Sequence, residues 1–395
     1  MAGNFDILGK MPTADEFYGN YWHQRPFVAR NAISSPHLSD LITGDELAGL
    51  SLEESAQSRI VTSSGDVPDW SCRYGPFTET DLHALQGGNW SLLVQNVEQF
   101  HPDTAVLLRY FDFAPRWLID DIMVSYSSIG GSVGPHLDSY HVFLVQGTGC
   151  RRWTVSDLPL SEPVFVAGTD LRILDGPFSG QTIEVTEGDV LYIPPGFAHE
   201  GNSLVESMTY SVGFLGPKMS DLFGGYGQYL AERERQDARY TGRGLDIGSA
   251  GFVIDLPVVT HLREILTSQF DSVDFGRWVT TFFTQSSHEE FGSFDLRLEP
   301  MTASDFVGRL RRGESLIKPA YVKFAVSGFR KDGFWLAVDG QGFDLEQDLF
   351  PVIKQLMSED PTCPQSLSHL LKKPEKINPL LDLYNHNVLE FVDPN

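Results

Sequence analysis

Residues 130–155 read GGSVGPHLDSYHVFLVQGTGCRRWTV, with His136 and Asp138 two apart where a strand opens. The period-two alternation of a strand puts both side chains on one face. Downstream, EGDVLYIPPGFAHEG (187–201) offers His199 just past a strand and a Pro-Pro-Gly turn, 199 − 136 = 63 residues on, far enough for a second strand to lie beside the first. Two histidines and one carboxylate on one wall form the facial triad that holds Fe(II) and leaves positions open for a bidentate 2-oxo acid and dioxygen. Alone, an HxD pair arises by chance, and a buried histidine is then a hydrogen-bonded core residue. The glycines before His136 permit close backbone approach, and Arg151 and Arg152 follow on the next strand. A guanidinium in a strand between Val145 and Trp153 calls for an anion, because burying it unpaired is costly. His141 lies at odd offsets from both His136 and Asp138 and so faces away from the metal. Asp189 reads as a turn residue, and His23, His83, His101 and His369 as surface or core residues.

Outward from this stretch, residues 103–214 consist of short apolar runs cut by Gly, Pro, Asn and Asp: AVLLRYF, DIMVSYS, HVFLVQ, RRWTV, PVFVAG, TIEV, DVLYI and MTYSVGF. Such runs predict an antiparallel barrel or sandwich. Between 217 and 290 the apolar spacing turns to three and four, which predicts about three helices. Their apolar face is a candidate oligomer interface. From about Met301 to Asn395 strands are expected at YVKFAVSG and GFWLAVDG, helices at LEQDLFPVIKQLM, SLSHLLKK and INPLLDLYN, and a closing strand at VLEFVD. This order suggests a small α+β module of winged-helix type. Its 11 Lys and Arg against 13 Asp and Glu give a net charge of −2, which speaks against reading DNA.

The 395 residues exceed one ordinary core, and 41 % hydrophobic with 21 % charged residues excludes fibrous and disordered classes. A formal net charge of −24 repels phosphate backbones and anionic lipid and attracts basic partners. Cys72, Cys150 and Cys363 are an odd three without a CxxC pair, so neither a disulfide framework nor a zinc site is expected, and a cytoplasmic location fits. No leader and no membrane-spanning run is read.

The stretch 130–155 with GDVLYIPPGFAH, a strand-turn-His pattern typical of cupin barrels, resembles the JmjC-type 2-oxoglutarate and Fe(II) oxygenases. Within that class GPHLDSYHVFLVQGTGCRRW, YIPPGFAHEG, TYSVGF and YWHQRPFVARNA (21–32) resemble the bacterial ribosomal oxygenases, whose similar member hydroxylates an arginine of the sixteenth large-subunit ribosomal protein. The resemblance implies a multi-domain α+β chain: a JmjC domain over 1–216 with a double-stranded β-helix barrel (cupin or jelly-roll, about 103–216), a helical dimerisation region over 217–300 and a winged-helix-like domain over 301–395. It implies Fe(II) on His136, Asp138 and His199, 2-oxoglutarate on Arg151, a supporting hydroxyl on Ser127, dioxygen as oxidant, a homodimer, and a basic ribosomal protein as substrate. Related sequences have an arginine where this chain has Cys150. The choice between Arg151 and Arg152 rests on strand register, since a one-residue slip turns the other one inward. Two alternatives stand beside this reading. One is hydroxylation of histidine or another residue on a different basic protein; the other is a cupin sensor that binds a small anion without turnover.

Overall fold

Alternating and continuous apolar runs in the first 216 residues fold into two facing sheets. In the computed structural model the described residues are 6–64, 69–85, 87–169, 171–233, 239–242, 252–285, 295–358, 360–362 and 364–392. The chain divides into two compact units, Met1–Gly216 and Pro217–Asn395. The strands of the first are β1 (Asp6–Leu8), β2 (Phe27–Ala29), β3 (Ser58–Ser64), β4 (Asp69–Tyr74), β5 (Trp90–Val94), β6 (Ile119–Ser127), β7 (His141–Gln146), β8 (Cys150–Ser156), β9 (Gly180–Thr186), β10 (Val190–Ile193), β11 (His199–Ser203) and β12 (Ser207–Phe214). The large sheet has the order β1-β2-β10-β7-β12-β6-β5-β3-β4, and the small one β11-β8-β9.

Strands β7, β10 and β12 are buried at every position, because both sheet faces are covered. On the inside, Val142, Leu144 and Leu191 meet Trp153, Val155 and Val185 of the small sheet. On the outside, Phe143 packs against Phe17 and Phe111 of the N-terminal elements, with ring centroids 5.7 and 4.6 Å away. Each such fully buried side chain contributes roughly 1.5–3 kcal/mol. Three short helices start on capping boxes, Thr13 with Glu16, Thr43 with Glu46 and Thr78 with Asp81.

Asp189, in the turn before β10, ties the N-terminal segment to the barrel. Its buried carboxylate accepts from Arg30 Nη1 at 2.5 Å and from the amides of Asn31 and Thr186 at 3.0 Å each. Removing it orphans three donors, so Asp189→Ala is expected to lower stability by about 2–4 kcal/mol in chemical denaturation. A loss below about 0.5 kcal/mol would show that the segment holds without this knot.

Glu98 is a second buried carboxyl. Its Oε2 accepts from Ile122 N at 2.8 Å, and burial, with Asp121 beside it, pushes it from the usual 4.5 to about 8. A raised carboxyl favours folding fully below the unfolded value of 4.5, and that contribution is lost as pH climbs through about 8. Stability should therefore fall from pH 5 to 9, and Glu98→Gln should flatten the decline. Parallel melting curves for the two proteins across this range would contradict it.

Three expectations are corrected. AVLLRYF is a 3-10 helix, Val106–Phe111, because its buried residues Leu107, Leu108 and Phe111 follow helical spacing. PVFVAG is a loop with one bridge, Phe165 to Leu174, and Val164 stays 64 % exposed, so no second row of apolar side chains existed to bury. The large sheet also extends well ahead of residue 103: β5 pairs with β6, β3 lies between β5 and β4, and the sequences of β3 and β4, SRIVTSS and DWSCRY, carry a weak apolar signal.

In the second unit three helices, Met219–Arg233, Leu256–Ser268 and Val273–Thr284, occupy the stretch with helical spacing. The last packs on a three-stranded sheet, Phe324–Ser327, Gly333–Val338 and Gln341–Glu346, through Arg277 to Asp344 at 2.7 Å and Thr280 to Ser327 at 2.5 Å. A two-stranded pair, Ser315–Ile317 with Glu390–Val392, closes the chain. The tail also holds a helix, Ala303–Arg311, that its sequence did not announce, whereas SLSHLLKK is only short turns, Pro364–Leu367 and Leu370–Lys372. No described helix is long and apolar enough to cross a membrane. Cys72 and Cys150 are free thiols, and Cys363 lies outside the described residues.

Candidate metal and cosubstrate site

His136 and His199 face each other across a narrow antiparallel bridge, His136 N to His199 O at 3.0 Å and His199 N to His136 O at 2.8 Å. Gly134, at φ +83°, makes the turn that delivers His136, and a Cβ there would press on Trp70 and Ile173 at 3.2 Å. Asp138 completes the cluster; one ligand atom from each of the three residues lies within 4.8 Å of the others. The Asp138 carboxylate stands 3.6 Å from His199 Nε2.

Both imidazoles are fixed by the backbone. His136 Nδ1 is 2.9 Å from Gly134 O and His199 Nδ1 is 3.0 Å from Phe197 O; a carbonyl only accepts, so each Nδ1 holds the proton. Each Nε2 therefore turns a bare lone pair to the cluster. Burial beside His136 lowers His199 to about 4, which keeps it neutral at physiological pH. Two imidazole nitrogens and one carboxylate oxygen match a divalent iron and leave half of an octahedron open.

These residues open onto a cavity of ≈ 320 Å³ between the sheets. In the small sheet His199 pairs with Val155 and Ser203 with Arg151, so Arg151 lies four residues along β8, about 13 Å at ~3.3 Å per residue. Register turns Arg151 inward, 2 % exposed, and Arg152 outward into an ion pair with Glu184 at 2.7 Å. Arg151 reaches Thr209 Oγ1 at 3.3 Å, Ser125 Oγ at 3.5 Å and Gly201 O at 3.2 Å. Gly201 is required here, because a Cβ would sit 2.8 Å from Arg151 Nε and 2.7 Å from the Trp153 ring. Burial lowers Arg151 to about 10, which still leaves it charged at neutral pH. Its Nε and the Trp153 Nε1 are buried without a hydrogen-bond partner, although both side chains line the cavity. A buried cation with spare donors is the seat of an anion, and a planar fork fits a carboxylate.

Ser127 stands elsewhere: it is fully buried, bonded to Ser91 Oγ at 2.7 Å, and does not line the cavity. Ser125, one pleat earlier on the same face of β6, occupies the place beside Arg151, together with Thr209 of β12. A period-two reading of VSYSS allows either serine, and only the strand's register against β12 selects between them. His141 stays off the cluster, bonded to Tyr192 OH at 2.7 Å and His23 Nε2 at 3.1 Å while stacking on Trp22; the expected strand through His136 and Asp138 is corrected, since β7 begins only at His141 and the strand offsets do not apply to the residues before it.

Comparison with known proteins agrees with this geometry. A family profile described as JmjC domain matches residues 106–222. The ribosomal protein uL16 3-hydroxylase of Escherichia coli (strain K12) is 36 % identical over 318 residues, 77 % of this chain and 79 % of that protein. A probable ribosomal oxygenase of Haemophilus influenzae is 38 % identical over 331 residues, 83 % and 77 % of the two chains. The structure of YcfD, a ribosomal oxygenase from E. coli, superposes with a TM-score of 0.81 at 32 % identity over 97 % of this chain and 99 % of that one. YcfD in complex with cobalt and 2-oxoglutarate matches with the same score and identity, over 96 % and 98 %. The fold is of the JmjC and cupin type, and the protein is a 2-oxoglutarate-dependent oxygenase that uses Fe(II). The chain belongs to the JmjC-domain ribosomal oxygenases.

Proposed function

We propose that this oxygenase hydroxylates an arginine side chain of a basic large-subunit ribosomal protein, with Fe(II) on His136, Asp138 and His199 and the distal carboxylate of 2-oxoglutarate on Arg151. The observation that carries the reading is one cavity with a two-nitrogen, one-carboxylate donor set and, deeper in, a buried guanidinium with unused donors. The E. coli relative supports the ribosomal substrate through its name. When bound, the iron and 2-oxoglutarate supply the oxidising power: dioxygen is consumed, 2-oxoglutarate leaves as succinate and carbon dioxide, and one oxygen atom goes to a substrate C–H bond. The chain holds and orients. Arg151 fixes one end of the cosubstrate, Ser125 and Thr209 hold the guanidinium in place, and Leu144, Val142 and Trp153 keep water out of the reacting end.

The choice of arginine rests on the resemblance of GPHLDSYHVFLVQGTGCRRW and YIPPGFAHEG to the bacterial ribosomal oxygenases. A ribosomal substrate also places the reaction in the cytoplasm. The test is mass spectrometry of ribosomal proteins from cells lacking the enzyme, incubated with it, Fe(II), 2-oxoglutarate and labelled dioxygen. One labelled oxygen on one arginine is expected. Label on histidine would move the target, and 2-oxoglutarate consumption without any labelled ribosomal protein would discard the ribosomal assignment.

For the second unit we propose a helical dimerisation region over 217–300 and a winged-helix-like domain over 301–395. Leu256–Ser268 supports the first: no residue of that helix is buried, and Leu256 and Leu266 are 72 % and 64 % exposed. Sedimentation should show a dimer, and a monomer at micromolar concentration would discard that role.

A further inference from the structure

A second concavity lies beside the catalytic cavity and has the opposite charge. Its walls are the two arms of the β8–β9 connection, residues 156–164 and 174–179. Asp157, Glu162 and Asp175 stand in it with no Lys, Arg or His among the lining residues, and among the described residues none of the three pairs with a cation. Leu158 and Val164 add exposed apolar surface at 65 and 64 %. The catalytic cavity, by contrast, is lined by Arg59, Arg151 and Arg172.

The groove is preformed. Val166 N donates to Ile173 O at 2.9 Å and Asp175 N to Val164 O at 2.8 Å, which joins the arms, while Leu160 N is held on Gly196 O at 2.9 Å. Gly196 N in turn donates to the carbonyl of Asp138 at 2.8 Å. One segment separates the two concavities: Leu171, Arg172 and Ile173 line the catalytic cavity, and the next residues, Leu174 and Asp175, line the groove. A chain with one residue in the cavity can continue across that segment.

We propose that this groove docks the basic, apolar-interrupted stretch of the protein substrate that flanks the oxidised residue. The inference rests on the proposed ribosomal function for the identity of the substrate and on charge complementarity for the site. A second copy of this chain is a poor occupant, since it brings a net charge of −24 to a surface of the same sign.

The test uses the full chain with Glu162→Lys and Asp175→Lys together, both exposed and outside the catalytic cavity. The substrates are ribosomal protein uL16 and a short peptide centred on its hydroxylated residue with the flanking basic residues replaced by serine. Expected is a rise in KM for the whole protein of about tenfold, with kcat, the KM of the neutral-flank peptide and the 2-oxoglutarate affinity unchanged, and a weaker dependence of KM on salt. An unchanged KM for the whole protein overturns the groove and leaves the function standing. Loss of a dimer with KM unmoved gives the groove to a second copy, which also overturns it. If the wild type fails to hydroxylate uL16, the functional reading falls instead. The groove is then judged by fluorescence anisotropy with a nonapeptide of alternating Lys and Leu: weaker binding by the double variant supports it, and equal binding overturns it.

Discussion

Asp138→Ala is expected to lower 2-oxoglutarate turnover by at least about 10³-fold and to leave the fold intact. The carboxylate is the one anionic donor in the cluster, so without it two neutral imidazoles face a divalent cation alone. Its structural cost is small because the side chain is 20 % exposed and its nearest ion-pair partner, His199 Nε2, is 3.6 Å away. The hydrogen bond that holds this loop, Gly196 N to Asp138 O, uses the backbone and survives the substitution. Circular dichroism and melting should be within a few degrees of wild type, whereas Co(II) titration followed by its absorption should show lost affinity. His199→Ala is a less clean test: that ring is buried against Trp153 at 6.0 Å between centroids, and its removal leaves a void. Retained turnover in Asp138→Ala, or its gross unfolding, would each sink the ligand assignment.

The catalytic half of the fold was legible where side chains obey a short period. GDVLYIPPGFAH placed His199 at the start of β11, whereas HLD does not open a strand: β7 begins at His141, and His136 meets His199 through an isolated bridge with Asp138 in the loop that follows. The placing of His199 is a local rule, and the backbone pairing of His136 with His199 follows once the two segments are adjacent. Arg151 against Arg152 was not decidable locally, because the outcome depends on which residue of β11 faces which residue of β8. Ser125 was missed for the same reason: its role arises from a guanidinium 26 residues away. Strands β3 and β4 were missed for a different reason. Their sequences, SRIVTSS and DWSCRY, are largely polar, and β3 joins the sheet only through β5, which pairs with β6. The loop PVFVAG illustrates the converse: β-branched residues predict a strand, yet a strand without an unfilled sheet edge remains a loop. Asp189 reads as a turn residue, and its carboxylate lies in a turn, but its partners Arg30 and Asn31 are 159 and 158 residues away.

Arg151→Ala should raise the KM for 2-oxoglutarate by about 30-fold or more, whereas Arg152→Ala should leave it within about twofold. The difference follows from one residue of register. Arg151 is buried, charged and equipped with a partnerless Nε, so a carboxylate in the cavity gains charge-assisted hydrogen bonds in a medium of low polarity. Arg152 is half exposed and already paired with Glu184, a surface contact worth ~0–1 kcal/mol. Stability separates the two further. Without ligand, an unpaired buried cation stabilises little, so Arg151→Ala should melt close to wild type or slightly above it. Saturating 2-oxoglutarate at about 100 times its dissociation constant should stabilise the metal-loaded wild type by about 2.7 kcal/mol and the Arg151→Ala protein far less. Arg151→Lys keeps the charge but not the planar fork, and its KM should lie between those of wild type and alanine. Equal KM values for Arg151→Ala and Arg152→Ala would mean that the cosubstrate's distal carboxylate is held elsewhere; Arg59 and Arg172, the other guanidinium side chains lining this cavity, would be the next to replace.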